Sequence, residues 1–160
     1  MQPADTQKTS RTAEPEEDSI DYDVLPDLVG YHLRRAQIAV FSNFSRTIAD
    51  HQITPGQFGV LTLIAANPGL TQSALAKAVG IERSTMVATI DALEGRKLVE
   101  RRPSPVDRRS YALMLSNEGR GLVAKLKEKV VNHENDMMAA VSDEDRATLI
   151  RLLGIISNSR

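Results

Sequence analysis

The stretch that decides the fold runs from Thr71 to Ser116 and reads TQSALAKAVGIERSTMVATIDALEGRKLVERRPSPVDRRSYALMLS. Thr71 is placed to cap a short amphipathic helix reaching Val79, because its hydroxyl can accept from the free N–H groups of a first turn. Gly80 supplies the tight turn that follows. A second helix is predicted from about Glu82 to Arg96, since Met86, Ile90 and Leu93 recur at spacings of four and three and form one apolar stripe. Glu82, Thr85, Thr89 and Arg96 fall on the opposite face, with Arg83 and Ser84 at the exposed N-terminal turn. Two helices joined this way, the second with a polar outer face, form a helix–turn–helix that can offer its second helix to a DNA groove.

The residues after the second helix extend the pattern. Leu98–Arg101 and Ser110–Leu115 read as short strands, with Tyr111, Leu113 and Leu115 alternating against Ser110, Ala112 and Met114. Pro103, Ser104, Pro105 and Asp107 make a stiff turn between them, with Arg101, Arg102, Arg108 and Arg109 around it. A basic hairpin directly after a recognition helix reads as a wing, whose arginines can reach phosphates or a narrow minor groove.

With those residues in place, the chain resembles the MarR family of winged-helix transcriptional regulators. The resemblance rests on L-E-x-x-x-L-V-x-R at Leu93, Glu94, Leu98, Val99 and Arg101. It continues as D-x-R-x-x-x-L-x-L-S-x-x-G through Asp107, Arg109, Leu113, Leu115, Ser116 and Gly119. The likeness covers about Asp27 to Ile156. Two departures stand out. Lys97 occupies the place where the family usually has Gly before the L-V pair, which predicts a left-handed residue at a cost of about 1 kcal/mol. Ala112 replaces a basic residue often found three places after the wing arginine, which implies one weakened wing contact. The resemblance also implies that Asp107 braces Arg109, that the protein forms a two-fold homodimer, and that a small molecule binds between the dimer helices and the winged region.

Composition is consistent with this and excludes other classes. At 160 residues with 26% charged side chains, the chain reads as one soluble domain. No apolar run approaches a membrane span and the N-terminus is polar and acidic, so neither a bilayer helix nor a signal peptide is expected, and the cytoplasm is the expected compartment. The chain has no cysteine, which excludes disulfides, thiolate metal sites and a cysteine redox sensor. The net charge of −1 conceals a division: Met1 to Asp27 holds eight acidic and two basic residues, whereas Arg96 to Arg109 holds six basic and two acidic ones. Basic charge is thus concentrated on the wing, where DNA would need it.

The flanking segments read as helices around that centre. Residues 1–22 are expected to be a disordered acidic tail. A first helix is expected from near Pro26, with Leu33, Ala36, Val40, Phe41, Phe44 and Ile48 at helical spacing. Thr54 caps a second, with Pro55 in its first position and Phe58, Leu61, Leu63 and Ile64 on its buried side. Leu70 is expected to add the first strand of the winged sheet. Ser116 caps a long helix reaching about Val141, and Ser142 opens a last one with Leu149, Leu152, Leu153 and Ile156 on its apolar side. The expected fold class is mainly α with a small β wing. It comprises a winged helix-turn-helix domain over residues 54–116 and a helical dimerisation region over residues 23–53 and 117–160.

The site residues follow from these placements. Arg83, Ser84, Thr85 and Thr89 on the second helix, with Arg108 and Arg109 on the wing, are the candidates for contacting an inverted-repeat operator in double-stranded DNA. Gln72 and Ser73 sit at a helix N-terminus, where they can donate to a phosphate. Asp107 takes a positioning role by the resemblance. Tyr22, Tyr31, Phe41, Phe44 and Phe58, five of the six aromatics, precede residue 60. His32, Arg35, Phe41, Asn43, Phe44, Arg46 and Phe58 are therefore the candidate effector residues, suited to an aromatic acid or aromatic acyl-coenzyme A. No catalytic constellation is present, and His32, His51 and His133 are too scattered for a metal site, so no enzyme activity, metal or cofactor is expected. The reading from another class is a winged module that binds protein and not DNA.

Overall fold

The computed structural model describes residues 20–104 and 110–159. The chain falls into two compact units, residues 1–37 and 38–160. The tail expectation, up to residue 19, lies outside the described residues, and so do Pro105, Asp107, Arg108 and Arg109 of the wing tip.

In the first unit Pro26 sits in a single 3-10 turn, Leu25–Asp27, and the helix does not run on from it. Leu28 is extended (φ −95°, ψ 121°) and its N–H closes the turn on the Leu25 carbonyl, so helix α1 starts only at Val29 and continues to Thr47. The Tyr22 and Tyr31 rings pack at 6.3 Å between centroids.

In the second unit a 3-10 turn at Ala49–His51 ends on left-handed Gln52. Helix α2 (Pro55–Ala66) then opens with a full capping box: the Thr54 hydroxyl accepts from the Gln57 N–H at 3.2 Å, and the Thr54 N–H donates to the Gln57 side chain at 3.1 Å. Helix α3 (Gln72–Val79) is capped by Thr71 and ended by Gly80 at φ 77°, a conformation that favours glycine. Helix α4 (Arg83–Gly95) follows within three residues. Strands β1 (Val99–Pro103) and β2 (Tyr111–Leu115) pair antiparallel with Val99 opposite Leu115, and Leu70 bridges to Leu113 as a minimal third strand. Helix α5 (Asn117–Met137) is capped by Ser116, and helix α6 (Asp143–Asn158) by Ser142. Helix α5 stops short of the expected Val141, because Met138 to Val141 form the turn that delivers Ser142 to its cap.

The core lies where α2, α3, α4, α5 and the hairpin converge. Met86, Ile90, Leu93, Leu61, Leu75, Leu113 and Leu126 are each 0% exposed, and each contributes about 1.5–3 kcal/mol by leaving water. The alternation expected for β2 fails at its wing end. Tyr111 is exposed because the hairpin there runs beyond the core, while Ala112 is buried and packs rather than reaching outward.

The junction between α4 and α5 explains the sequence string around it. Lys97 adopts φ 58°, the left-handed conformation predicted for a residue in the family's glycine position. Its carbonyl accepts from the Ser116 hydroxyl at 2.6 Å, and that hydroxyl in turn accepts from the Gly119 N–H at 2.9 Å. A Cβ on Gly119 would lie 2.1 Å from the Leu98 carbonyl oxygen, so only glycine allows this approach. Serine and glycine at that spacing lock the start of α5 onto the end of α4.

Candidate nucleic-acid interface

Arg83, Ser84 and Thr85 are exposed on the first turn of α4, on the side away from Met86, Ile90 and Leu93. Thr89 lies one turn on, half-buried, with its hydroxyl donating to the Thr85 carbonyl at 2.9 Å. Arg83 also lines a notch of about 190 Å³ with Thr71, Gln72, Ser73, Ser110 and Tyr111. The start of α3, the start of α4 and the root of the wing therefore meet at one place. The Gln72 side-chain nitrogen is buried there without a hydrogen-bond partner among the described residues. Free N–H groups at a helix start and an exposed arginine make this notch suited to a phosphate. Asp107, Arg108 and Arg109 lie outside the described residues.

Two arginines read from the sequence as part of the outward basic surface are instead held by the protein. Arg96 folds back and donates to the His51 carbonyl at 2.9 Å and the Gln52 carbonyl at 2.6 Å, tying the end of α4 to the turn before α2. Arg101 is paired with Glu94 and Asp91, both on α4. Burial works against its charge, but the hydrogen bond to Asp91 and the field of Glu94 outweigh this and hold its pKa above the usual arginine value. Arg101 thus fastens the wing to the recognition helix. The helical period of α4 carries no sign of either contact, because both cross from one element to another.

The candidate effector residues fall in different units. In the first, the His32 ring contacts the Pro26 carbonyl at 2.7 Å. Arg35 lies 5.5 Å from the centre of the Tyr31 ring and donates to its hydroxyl at 3.4 Å. In the second, Phe44 is buried and meets Phe58 at 5.8 Å, whereas Phe41 is 44% exposed and Arg46 is exposed. Asn43 lines a notch of about 450 Å³ between α1 and α5, with Thr47, Lys129, Asn132, His133 and Asp136.

His133 is the residue in this notch that sequence reading missed. It is 7% exposed, its ring meets Phe44 edge-on at 6.2 Å, and its Nε2 is buried with no partner among the described residues. Leaving such a group unpaired costs about 1–3 kcal/mol. Its spacing was a usable signal, since His133 stands seven after Leu126 and three after Val130 on the buried stripe of α5. Among the described residues no group of side chains could hold a metal ion, and no helix is long and apolar enough to cross a membrane.

Comparison with known proteins agrees with this architecture. A candidate transcriptional regulatory protein for the hcr operon of Thauera aromatica is 45% identical over 126 residues, covering 78% of this chain and 76% of that protein. The transcriptional repressor CouR, solved bound to a 23-mer DNA duplex, superposes with a TM-score of 0.82 at 42% identity, over 87% of this chain and 99% of CouR. CouR bound to p-coumaroyl-CoA gives the same TM-score at 39% identity, over 88% of this chain and 99% of CouR. Residues 51–110 match the sequence profile of the MarR family. With the wing strands, the α3–α4 pair and the serine–glycine junction in their places, this chain belongs to the MarR family.

Proposed function

We propose that the protein is a homodimeric DNA-binding transcriptional repressor that an aromatic acyl-coenzyme A or the parent aromatic acid releases from an inverted-repeat operator. The observation that carries the reading is the convergence of Arg83, Gln72, Ser73 and the wing root on one notch, beside the outward face of α4. Arg83, Ser84, Thr85 and Thr89 would face base edges in the major groove, while Gln72 and Ser73 would hold a phosphate. Arg108 and Arg109 would grip the flanking backbone or minor groove, with Asp107 positioning Arg109. A protein-docking role for the same surface finds little support, because Val87 is the one exposed large apolar side chain on α4.

The dimer follows from α6, which buries none of its residues within the chain and exposes Leu149, Ile150, Leu152, Leu153, Ile155 and Ile156. A second copy would cover that face and set two recognition helices about one helical turn of DNA apart. The effector reading is supported by the ligand of the solved relative CouR and by the candidate set His32, Arg35, Phe41, Asn43, Phe44, Arg46 and Phe58. A ligand between the dimer helices and the winged region would change the spacing of the recognition helices, and by linkage DNA would weaken ligand binding by the same factor. Nothing in this account calls for catalysis, and the protein would act in the cytoplasm.

An electrophoretic shift on the chain's own upstream region tests the reading. Arg83→Ala should weaken operator binding by about 1–3 kcal/mol while leaving random DNA less affected. Arg109→Ala should weaken both and reduce the salt slope by about one unit per lost phosphate contact. Both p-coumaroyl-CoA and p-coumarate are then titrated against the complex. No shift of the upstream duplex would sink the repressor reading, and no release by either ligand at saturation would sink the effector.

A further inference from the structure

We infer that Val87 reads base identity in the operator by packing against the 5-methyl group of a thymine. This rests on the DNA-binding reading above and adds an apolar contact to its polar set. Val87 lies three residues after Ser84 and four after Arg83, so the three side chains are neighbours on the surface of α4. Ala88 stands four after Ser84 and extends the same face. All four residues are exposed, while Met86, Ile90 and Leu93 carry the other side of the helix into the core. Val87, at 38% exposure, is the single large apolar side chain that α4 leaves in solvent.

Valine at this position does not serve the helix itself. Its branched Cβ fixes χ1 in a helix, so it supports α4 less well than alanine or a straight-chain residue would. Its surroundings suit a close approach to DNA. Ser84 and Ala88 are small, which lets the helix backbone come near the base edges. Asp91, four residues on from Val87, is paired with Arg101, so its charge is offset before it meets an anionic duplex. In the major groove thymine presents an acceptor and a methyl group, and no other base of unmodified DNA carries that methyl. An aliphatic side chain gains by covering it. Cytosine in the same place would leave its amine donor without a partner against Val87.

The test replaces the thymines of the chain's upstream duplex by deoxyuridine one at a time, which removes the methyl and keeps the pairing and the O4 acceptor. Full-length wild type should lose about fourfold in affinity at one thymine position of a half-site. Replacing the matching thymines of both half-sites should cost about 15-fold, because independent losses multiply. Val87→Ser should bind the thymine and deoxyuridine duplexes alike, with about the affinity of wild type for the latter. Its affinity for random DNA should equal that of wild type, which shows that the fold and the backbone contacts are intact. The wild-type scan depends on no variant folding. Indifference of the wild type to every substitution, a thymine preference kept by Val87→Ser, or an equal loss by that variant on random DNA would each overturn the assignment. A wild type that shifts the upstream duplex with any of those results leaves the DNA-binding reading standing without this contact. A wild type that does not shift it overturns the two together.

Discussion

The winged region and helix α6 contrast in how they satisfy their apolar faces. On α4 the stripe of Met86, Ile90 and Leu93 is wholly enclosed by the chain's own elements. On α6 an equally regular stripe of Leu149, Leu152, Leu153 and Ile156 is 37–46% exposed. Val131 near the end of α5, at 57%, belongs with the second group. The two stripes are alike as periodicity, so periodicity marks a buried face without saying which molecule buries it. An exposed apolar patch of this kind marks an interaction surface.

Breaking the α6 face should have the largest effect. Leu152→Asp with Ile156→Asp should convert the dimer to a monomer in light scattering. Operator affinity should then fall by about 10²–10⁴, because the second half-site no longer binds at high effective concentration. Far-UV circular dichroism of the winged region should survive. A variant that stayed dimeric would place the interface elsewhere.

Breaking the enclosed stripe should act on folding. Leu93→Ala removes a side chain 0% exposed and should cost about 2–5 kcal/mol, seen as a lower denaturant midpoint. Leu153→Ala, made on the other face, should cost far less in a monomeric background. Similar losses at both positions would erase the distinction between the two stripes.

The two regions also differ in how much could be read in advance. Helix starts were legible because a cap is local: Thr54, Thr71, Ser116 and Ser142, each read as a cap, each accept from a backbone N–H three residues on. The left-handed Lys97 was legible through the family resemblance, which puts glycine at that position. What escaped depends on distant partners. Arg96 and Arg101 look solvent-facing along α4 and β1, yet both are held by groups on other elements. His133 occupies an apolar stripe position that its residue type disguised. The break at Leu28 follows from a 3-10 hydrogen bond that composition does not distinguish from an α-helical start.

A smaller effect is expected at the junction that closes the winged region. Lys97→Gly removes the left-handed penalty and should raise stability by about 1 kcal/mol, or about 2–4 °C in Tm. A drop in Tm would mean that the lysine charge beside Glu118 outweighs the strain.

The smallest expected effect is the pH dependence of that same junction, and its sign is fixed. Glu118 stands in the first turn of α5, where its own backbone N–H and then the Ser116 hydroxyl hold its carboxyl below the usual glutamate range. Lys97 and Arg120 add to the shift. A carboxyl whose pKa is depressed on folding stabilises the native state above its unfolded value. That contribution disappears as pH falls from the ordinary carboxylate range through the folded value. Glu118→Gln should therefore melt below wild type near neutral pH, and the two curves should converge in acid. Because the group is fully exposed, salt should shrink the neutral-pH gap as well. Thermal melts of both proteins from about pH 7 to about pH 3, at low and high salt, decide the point. A gap that widened toward acid would place the charged carboxylate against the fold rather than in its favour.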